Sequence, residues 1–112
     1  DRKIDMIISG GVNIYPAEIE AAIMTHPQVA DVGVFGVPND EFGEEVKAAV
    51  ELLPGADPAT VEVELRNLCR DKLAGYMAPR TYDFGDLPRT ATGKLPKREL
   101  RAGYWEGTGR SI

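Results

Sequence analysis

Two β-rich runs, VADVGVFGV (29–37) and EVKAAVEL (45–52), parted by the turn-forming PNDEFG, constrain this chain more than anything else in it. Val46, Ala48, Val50 and Leu52 alternate with Glu45, Lys47, Ala49 and Glu51, the period of two expected of a strand with one face on a core and the other in water. A sheet built on such strands needs an apolar layer against it, and the chain supplies helices on either side. Pro16 suits a first helical position, and Ile19, Ala22 and Ile23 recur at i, i+3, i+4 until His26 and Pro27 stop the pattern. Asp57 as N-cap and Pro58 behind it open a second helix, whose stripe is Val61, Leu65, Leu68, Cys69 and Leu73 and whose end is marked by Gly75 and Pro79. PKRELRAGYW, starting at Pro96, predicts a short third helix.

The remaining elements are brief. DMIIS (5–9) and VNIY (12–15) flank Gly10 and Gly11 and read as a β-hairpin; RTYDF (80–84) reads as a last strand, GDLPRTATG as loop, and EGTGRSI has no pattern. The order β-β-α-β-β-α-β-loop-α predicts one α+β domain: a small, mostly antiparallel sheet plus a short hairpin, flanked by two or three helices.

Composition narrows the function classes. The 112 residues are 43% hydrophobic and 28% charged, as in an ordinary globular domain, and no apolar run approaches the ~18 residues of a membrane span. The expected compartment is the cytoplasm. One cysteine, Cys69, cannot form an internal disulfide, and with His26 the only histidine there is no zinc-like cluster, so no metal site is expected. Cys69 falls on the apolar stripe and reads as a buried structural thiol. Charge is uneven. Residues 1–79 carry 6 basic and 14 acidic side chains, residues 80–112 carry 7 and 4, within a net charge of −5. A basic C-terminal part of this size suits a small phosphorylated ligand and is too weak for nucleic acid.

Two segments could carry chemistry. In RTATGKLPKREL (89–100), Lys94 follows Gly93 between Pro88 and Pro96, with the hydroxyls of Thr90 and Thr92 nearby in sequence. A lysine there is either a solvated turn residue or a mobile point charge for phosphoryl or carboxylate oxygens. The segment lacks the upstream glycine of a P-loop and has Leu95 where that motif needs Ser or Thr. In SGGVNIYPAEIE (9–20), the glycines are either an ordinary hairpin turn or a place of close backbone approach by a ligand. Glu18 and Glu20 lie two apart, on different sides of the helix, which argues against a paired acid/base site, and Glu41, Glu44 and Glu45 read as a solvated acidic loop.

Taken together, DRKIDMIISGGVNIYPAEIE, DVGVFGVPNDEFGEEVKAAV and LPRTATGKLPKREL closely resemble the C-terminal domain of acyl-CoA synthetases and related adenylate-forming enzymes, over about residues 1–102. The resemblance implies a mobile lid domain spanning 1–112, a fragment cut at about the hinge, whose ATP- and acyl-binding N-terminal domain would precede Asp1. It implies an ATP-dependent ligase that converts a carboxylate to acyl-AMP and pyrophosphate and then, with CoA, to acyl-CoA and AMP. ATP, Mg2+ and CoA would be held mainly by the absent domain, which would be the chain's partner beside the small carboxylate substrate. By the same resemblance Lys94 is the adenylation lysine, supported by Thr90, Thr92 and Gly93; Arg2 contacts the ATP ribose; and Ser9, Gly10 and Gly11 line the pantetheine channel after the domain rotates. The hinge position, Asp or Lys in the family, is Ile4 here, which removes polar contacts thought to stabilise each orientation. Peptide-synthetase adenylation domains and luciferase-like members share the first half-reaction and stay open as alternatives, as does a non-catalytic binding module that keeps the fold.

Overall fold

A computed structural model describes residues 6–88, 91 and 95–105. Its elements follow the expected order: β1 (Ile7–Ser9), β2 (Val12–Ile14), α1 (Pro16–Ile23), β3 (Val29–Asn39), β4 (Gly43–Leu52), α2 (Pro58–Lys72), a 3-10 turn (Gly75–Met77), β5 (Thr81–Phe84) and α3 (Lys97–Trp105). The strands form one sheet in the order β2-β1-β4-β3, with β5 also on β4. The β1–β2, β1–β4 and β3–β4 pairs are antiparallel and β4–β5 is parallel. The hairpin is thus part of the sheet, joined to it where Ser9 pairs with Gly43.

The main core lies on one face. Ile7, Ile14, Val32, Val34, Val46, Ala48 and Val50 meet Ile19 and Ile23 of α1 and Val61, Leu65 and Cys69 of α2, all buried. The strand residues share a face because the β3–β4 register pairs Val32 with Val50, Val34 with Ala48 and Gly36 with Val46. Cys69 is fully buried; burial pushes its thiol above the ordinary range, and the Tyr82 hydroxyl donates to its sulfur at 3.6 Å. At the end of α1, the Gln28 N–H donates to His26 Nδ1 (3.1 Å), which leaves Nε2–H as the donor to Glu64 of α2 (2.7 Å).

The second face departs from the expectation of a wet surface. Phe35, Val37 and Ala49 are buried there with Leu87 and Leu100 packed on them, and Lys47 is only 8% exposed. α3 folds back over this face, so Lys47 and Ala49, expected in water, are covered. Among the described residues no helix is long and apolar enough to cross a membrane.

Asp57 caps α2 as expected, accepting from the Thr60 hydroxyl (2.6 Å) and the Thr60 N–H (3.2 Å). These bonds hold its carboxyl below the usual range. Because the unfolded chain binds that proton more tightly, the cap contributes fully above the ordinary carboxylate pKa of about 4 and is lost as pH falls through the lower folded value. Asp57→Ser, which caps without titrating, should therefore flatten the acid side of a melting-temperature profile against pH. An acid limb as steep as the parent's would show that Asp57 does not contribute to it.

Candidate functional site

The turn after β1 has two residues. Ser9 pairs with Val12, and Gly10 and Gly11 between them sit at φ +57° and +82°. Two successive positive φ values give a type I′ turn, which matches the twist of the flanking strands and which L side chains rarely adopt. The Gly10 N–H donates to the Phe42 carbonyl (2.9 Å), fastening the turn to the β3–β4 connection. Beside it lies a cavity of about 300 Å³ lined by Ser9, Gly10, Phe42, Val46, Tyr76 and Arg80. The Arg80 guanidinium stands over the Phe42 ring, 5.5 Å from its centroid, and the Arg80 N–H donates to the Val46 carbonyl (2.8 Å). Among the described residues a Cβ on Gly11 would meet no heavy atom within 4 Å; one on Gly10 would touch Phe42 at 3.4 Å. The locus therefore offers aromatic walls, one cation and a backbone edge with no side chain in the way. It suits a narrow, largely apolar chain that carries anionic groups at one end.

A second locus lies on the other face, at β3, where Leu95, Pro96 and Lys97 run against the strand. A Cβ on Gly33 would come within 2.6 Å of Leu95 Cδ2, so only glycine lets this segment lie so close. Lys97 Nζ donates to Glu20 Oε2 (2.7 Å), and the same oxygen accepts the Val34 N–H (2.9 Å). One turn on, Arg101 pairs with Glu44 at 3.4 Å; Glu44 occupies the space that a side chain on Gly36 would take. Glu44 and Glu45, expected in a solvated loop, are partly buried residues of β4, and Glu45 accepts a hydrogen bond from Asn39 (2.8 Å).

Toward the end of α3, Lys47 Nζ donates to Asp83 (3.0 Å) and lies 4.9 Å from the centroid of the Tyr104 ring, while the Tyr104 hydroxyl donates to the other Asp83 oxygen. Burial alone would raise the Asp83 carboxyl; the hydrogen bonds from Tyr104 and Lys47 and the Lys47 charge outweigh it and hold the group below its usual range. Burial, then the Asp83 carboxylate, pushes Tyr104 up to about 12. This network fastens α3 to β4 and β5.

Of the residues singled out in the sequence, Ser9, Gly10 and Gly11 come together in one turn beside the cavity. Arg2, Ile4, Thr90, Thr92, Gly93 and Lys94 lie outside the described residues. Phe42, Tyr76 and Arg80 were not read as site residues, since only the fold brings them to Gly10. Lys97 does carry a sequence signal: Lys97, Leu100, Arg101 and Tyr104 recur at i, i+3, i+4, i+7, a helical face with two cations in it.

Residues 18–94 match the family model described as AMP-binding enzyme C-terminal domain. The chain belongs to that family. As an AMP-binding enzyme C-terminal domain it is 49% identical over 102 residues to a 2-succinylbenzoate–CoA ligase of Geobacillus kaustophilus, an alignment covering 90% of this chain and 20% of that protein. It is 45% identical over 102 residues to a long-chain-fatty-acid–CoA ligase of Escherichia coli O157:H7, covering 90% and 18%. Its fold superposes on a Mycobacterium tuberculosis fatty acyl CoA synthetase with a TM-score of 0.82 at 43% identity, covering 93% of this chain and 20% of that one. The chain thus spans about one fifth of the length of the proteins it matches. The AMP-binding enzyme C-terminal domain match takes in Glu20, Phe42, Tyr76 and Arg80 and ends at Lys94, while the Ser9–Gly11 turn precedes it.

Proposed function

We propose that this chain is the C-terminal lid domain of an ATP-dependent acid–thiol ligase, and that it serves two half-reactions with two different loops. A carboxylate first attacks the α-phosphate of ATP, releasing pyrophosphate and leaving acyl-AMP; the CoA thiol then attacks the acyl carbon, and AMP departs. Lys94 would act in the first step as the cation between two reacting anions. Ser9, Gly10 and Gly11 would act in the second, where a backbone edge free of side chains admits the arm that carries the thiol.

The observation that carries this reading is the separation of the two loci. The glycine turn and its cavity adjoin β1 and the β3–β4 connection, whereas the segment that follows Lys94 resumes against the opposite face of the sheet at Gly33. Two loci on different parts of the sheet fit two steps served in turn. The aromatic walls and Arg80 suit CoA, an apolar arm with phosphates at one end. Among the described residues no group of three His, Cys, Asp or Glu side chains could hold a metal. In this reading Mg2+, ATP, the ribose contact from Arg2 and the acyl pocket belong to an active site completed by the N-terminal domain. The names of the two matched ligases favour CoA as acceptor over a carrier protein.

The test compares the full-length protein with the 112-residue chain, each given ATP, Mg2+, CoA and either 2-succinylbenzoate or long-chain fatty acids. The full-length protein should release pyrophosphate and form thioester, and the chain alone should do neither. Turnover by the isolated chain, or no pyrophosphate release by the full-length protein with any of these acids, would refute the reading.

A further inference from the structure

We infer that Lys97, held by Glu20, is a positioning residue for the adenylation lysine, fixing the backbone from which Lys94 reaches. This rests on the assignment of Lys94 above and extends it to two residues that neither the motif nor the family match singles out for a role.

Glu20 Oε2 is a shared acceptor. That oxygen accepts two hydrogen bonds, from the Val34 N–H at 2.9 Å and from Lys97 Nζ at 2.7 Å. Val34 belongs to β3, which ends the sheet order, so Glu20 caps an N–H on an edge strand. The position of the carboxylate is therefore set by sheet backbone as well as by its own rotamer. The pair is mostly withdrawn from water, with side chains 16% and 25% exposed for Lys97 and Glu20, against 42% and 35% for Arg66 and Glu62 on α2. Screening weakens the surface pair much more than the withdrawn one.

Steric fit supplies a second fixed point. Leu95 lies over Gly33, where a Cβ would stand 2.6 Å from its Cδ2 and 3.6 Å from Lys97 Cγ, so both side chains rest directly on β3 backbone. Between them, the Lys97 N–H donates to the Leu95 carbonyl (2.9 Å) and the Leu100 N–H to the Pro96 carbonyl (3.1 Å), which starts α3. Lys94 is bonded to Leu95, so the anchoring of Leu95 and Lys97 sets where the chain that follows the lysine is held. A reaction that brings two anions together depends steeply on where the cation stands, and a misplacement of about 1 Å can cost on the order of 10²-fold in rate.

The experiment uses the full-length protein and times the half-reactions separately: pyrophosphate release with ATP and the acid the parent turns over, and thioester formation from the corresponding acyl-AMP supplied ready-made. Lys97→Met should lower the first rate by about tenfold or more while sparing the second, a split that a general loss of folding does not produce. Glu20→Gln keeps an acceptor for the Val34 N–H and removes only the charge, and should give the same split. Lys97→Arg, which preserves the pair, should restore most of the adenylation rate. Melting temperatures report on folding. Equal losses in both half-reactions, or unchanged adenylation in Lys97→Met and Glu20→Gln, would overturn the inference. Lys94→Ala run alongside separates the two levels. If it abolishes adenylation while the Lys97 and Glu20 variants do not, only the positioning role fails; if it too has no effect, the assignment of Lys94 fails and the positioning role with it.

Discussion

Lys94→Ala in the full-length protein is expected to slow acyl-adenylate formation by about 10²-fold or more, the loss that follows removal of one oriented electrostatic contact from a water-poor site. Carboxylate and α-phosphate repel as they approach, and the ammonium offsets that repulsion most where charge is densest, in the transition state. The effect should appear in kcat for adenylation and not in thioester formation from supplied acyl-AMP, where no carboxylate meets a triphosphate. Lys94→Arg keeps the charge but changes its shape and reach, so only partial activity is expected. Melting temperatures should match the parent's. An adenylation rate equal to the parent's, or matched losses in both steps by a folded protein, would remove Lys94 from the mechanism.

Gly11→Trp should produce the converse pattern, with thioester formation slowed by about 10- to 100-fold and adenylation near the parent rate. Among the described residues no heavy atom lies within 4 Å of a Cβ on Gly11, so an indole there would project outward and obstruct whatever approaches from outside. Gly11→Ala is the control. Its Cβ meets nothing, and it isolates the cost of a side chain at φ +82°, on the order of 1 kcal/mol. If alanine harms the thioester step as much as tryptophan does, backbone strain and not obstruction is responsible. Equal damage to both half-reactions would mean that Gly11 serves the hairpin's folding alone.

The parts of the fold legible in the sequence are those whose causes are local. Pro16 and Asp57-Pro58 mark helix starts by their own geometry, and the stripe Val61, Leu65, Cys69 needs only the helical period. The covering of the outer face was illegible because several of the residues that fasten α3 there look hydrophilic one at a time. Lys47 reads as solvated until its stem is seen buried, with its ammonium ending on Asp83, and nothing in PKRELRAGYW tells that Lys97 and Arg101 find Glu20 and Glu44. Those partners are far apart in sequence, 77 residues for Lys97 and Glu20. The candidate site divides the same way. Gly10 and Gly11 announce a turn by their adjacency, whereas Phe42, Tyr76 and Arg80 reach that turn only through the Ser9–Gly43 pairing and the return of the chain into β5.

The placement of α3 has a further consequence. β3 is an eleven-residue strand at the end of the sheet order, and a long bare edge of that kind is a template on which a foreign strand can add. Here Glu20 occupies one of its N–H groups and holds Lys97 on the same oxygen, while Leu95 lies on the sheet face over Gly33. Loosening α3 would therefore release Lys97 from Glu20 and uncover the apolar patch of Phe35, Val37 and Ala49 beside that edge. A substitution that loosens this C-terminal helix is therefore expected to raise aggregation as well as to lower stability.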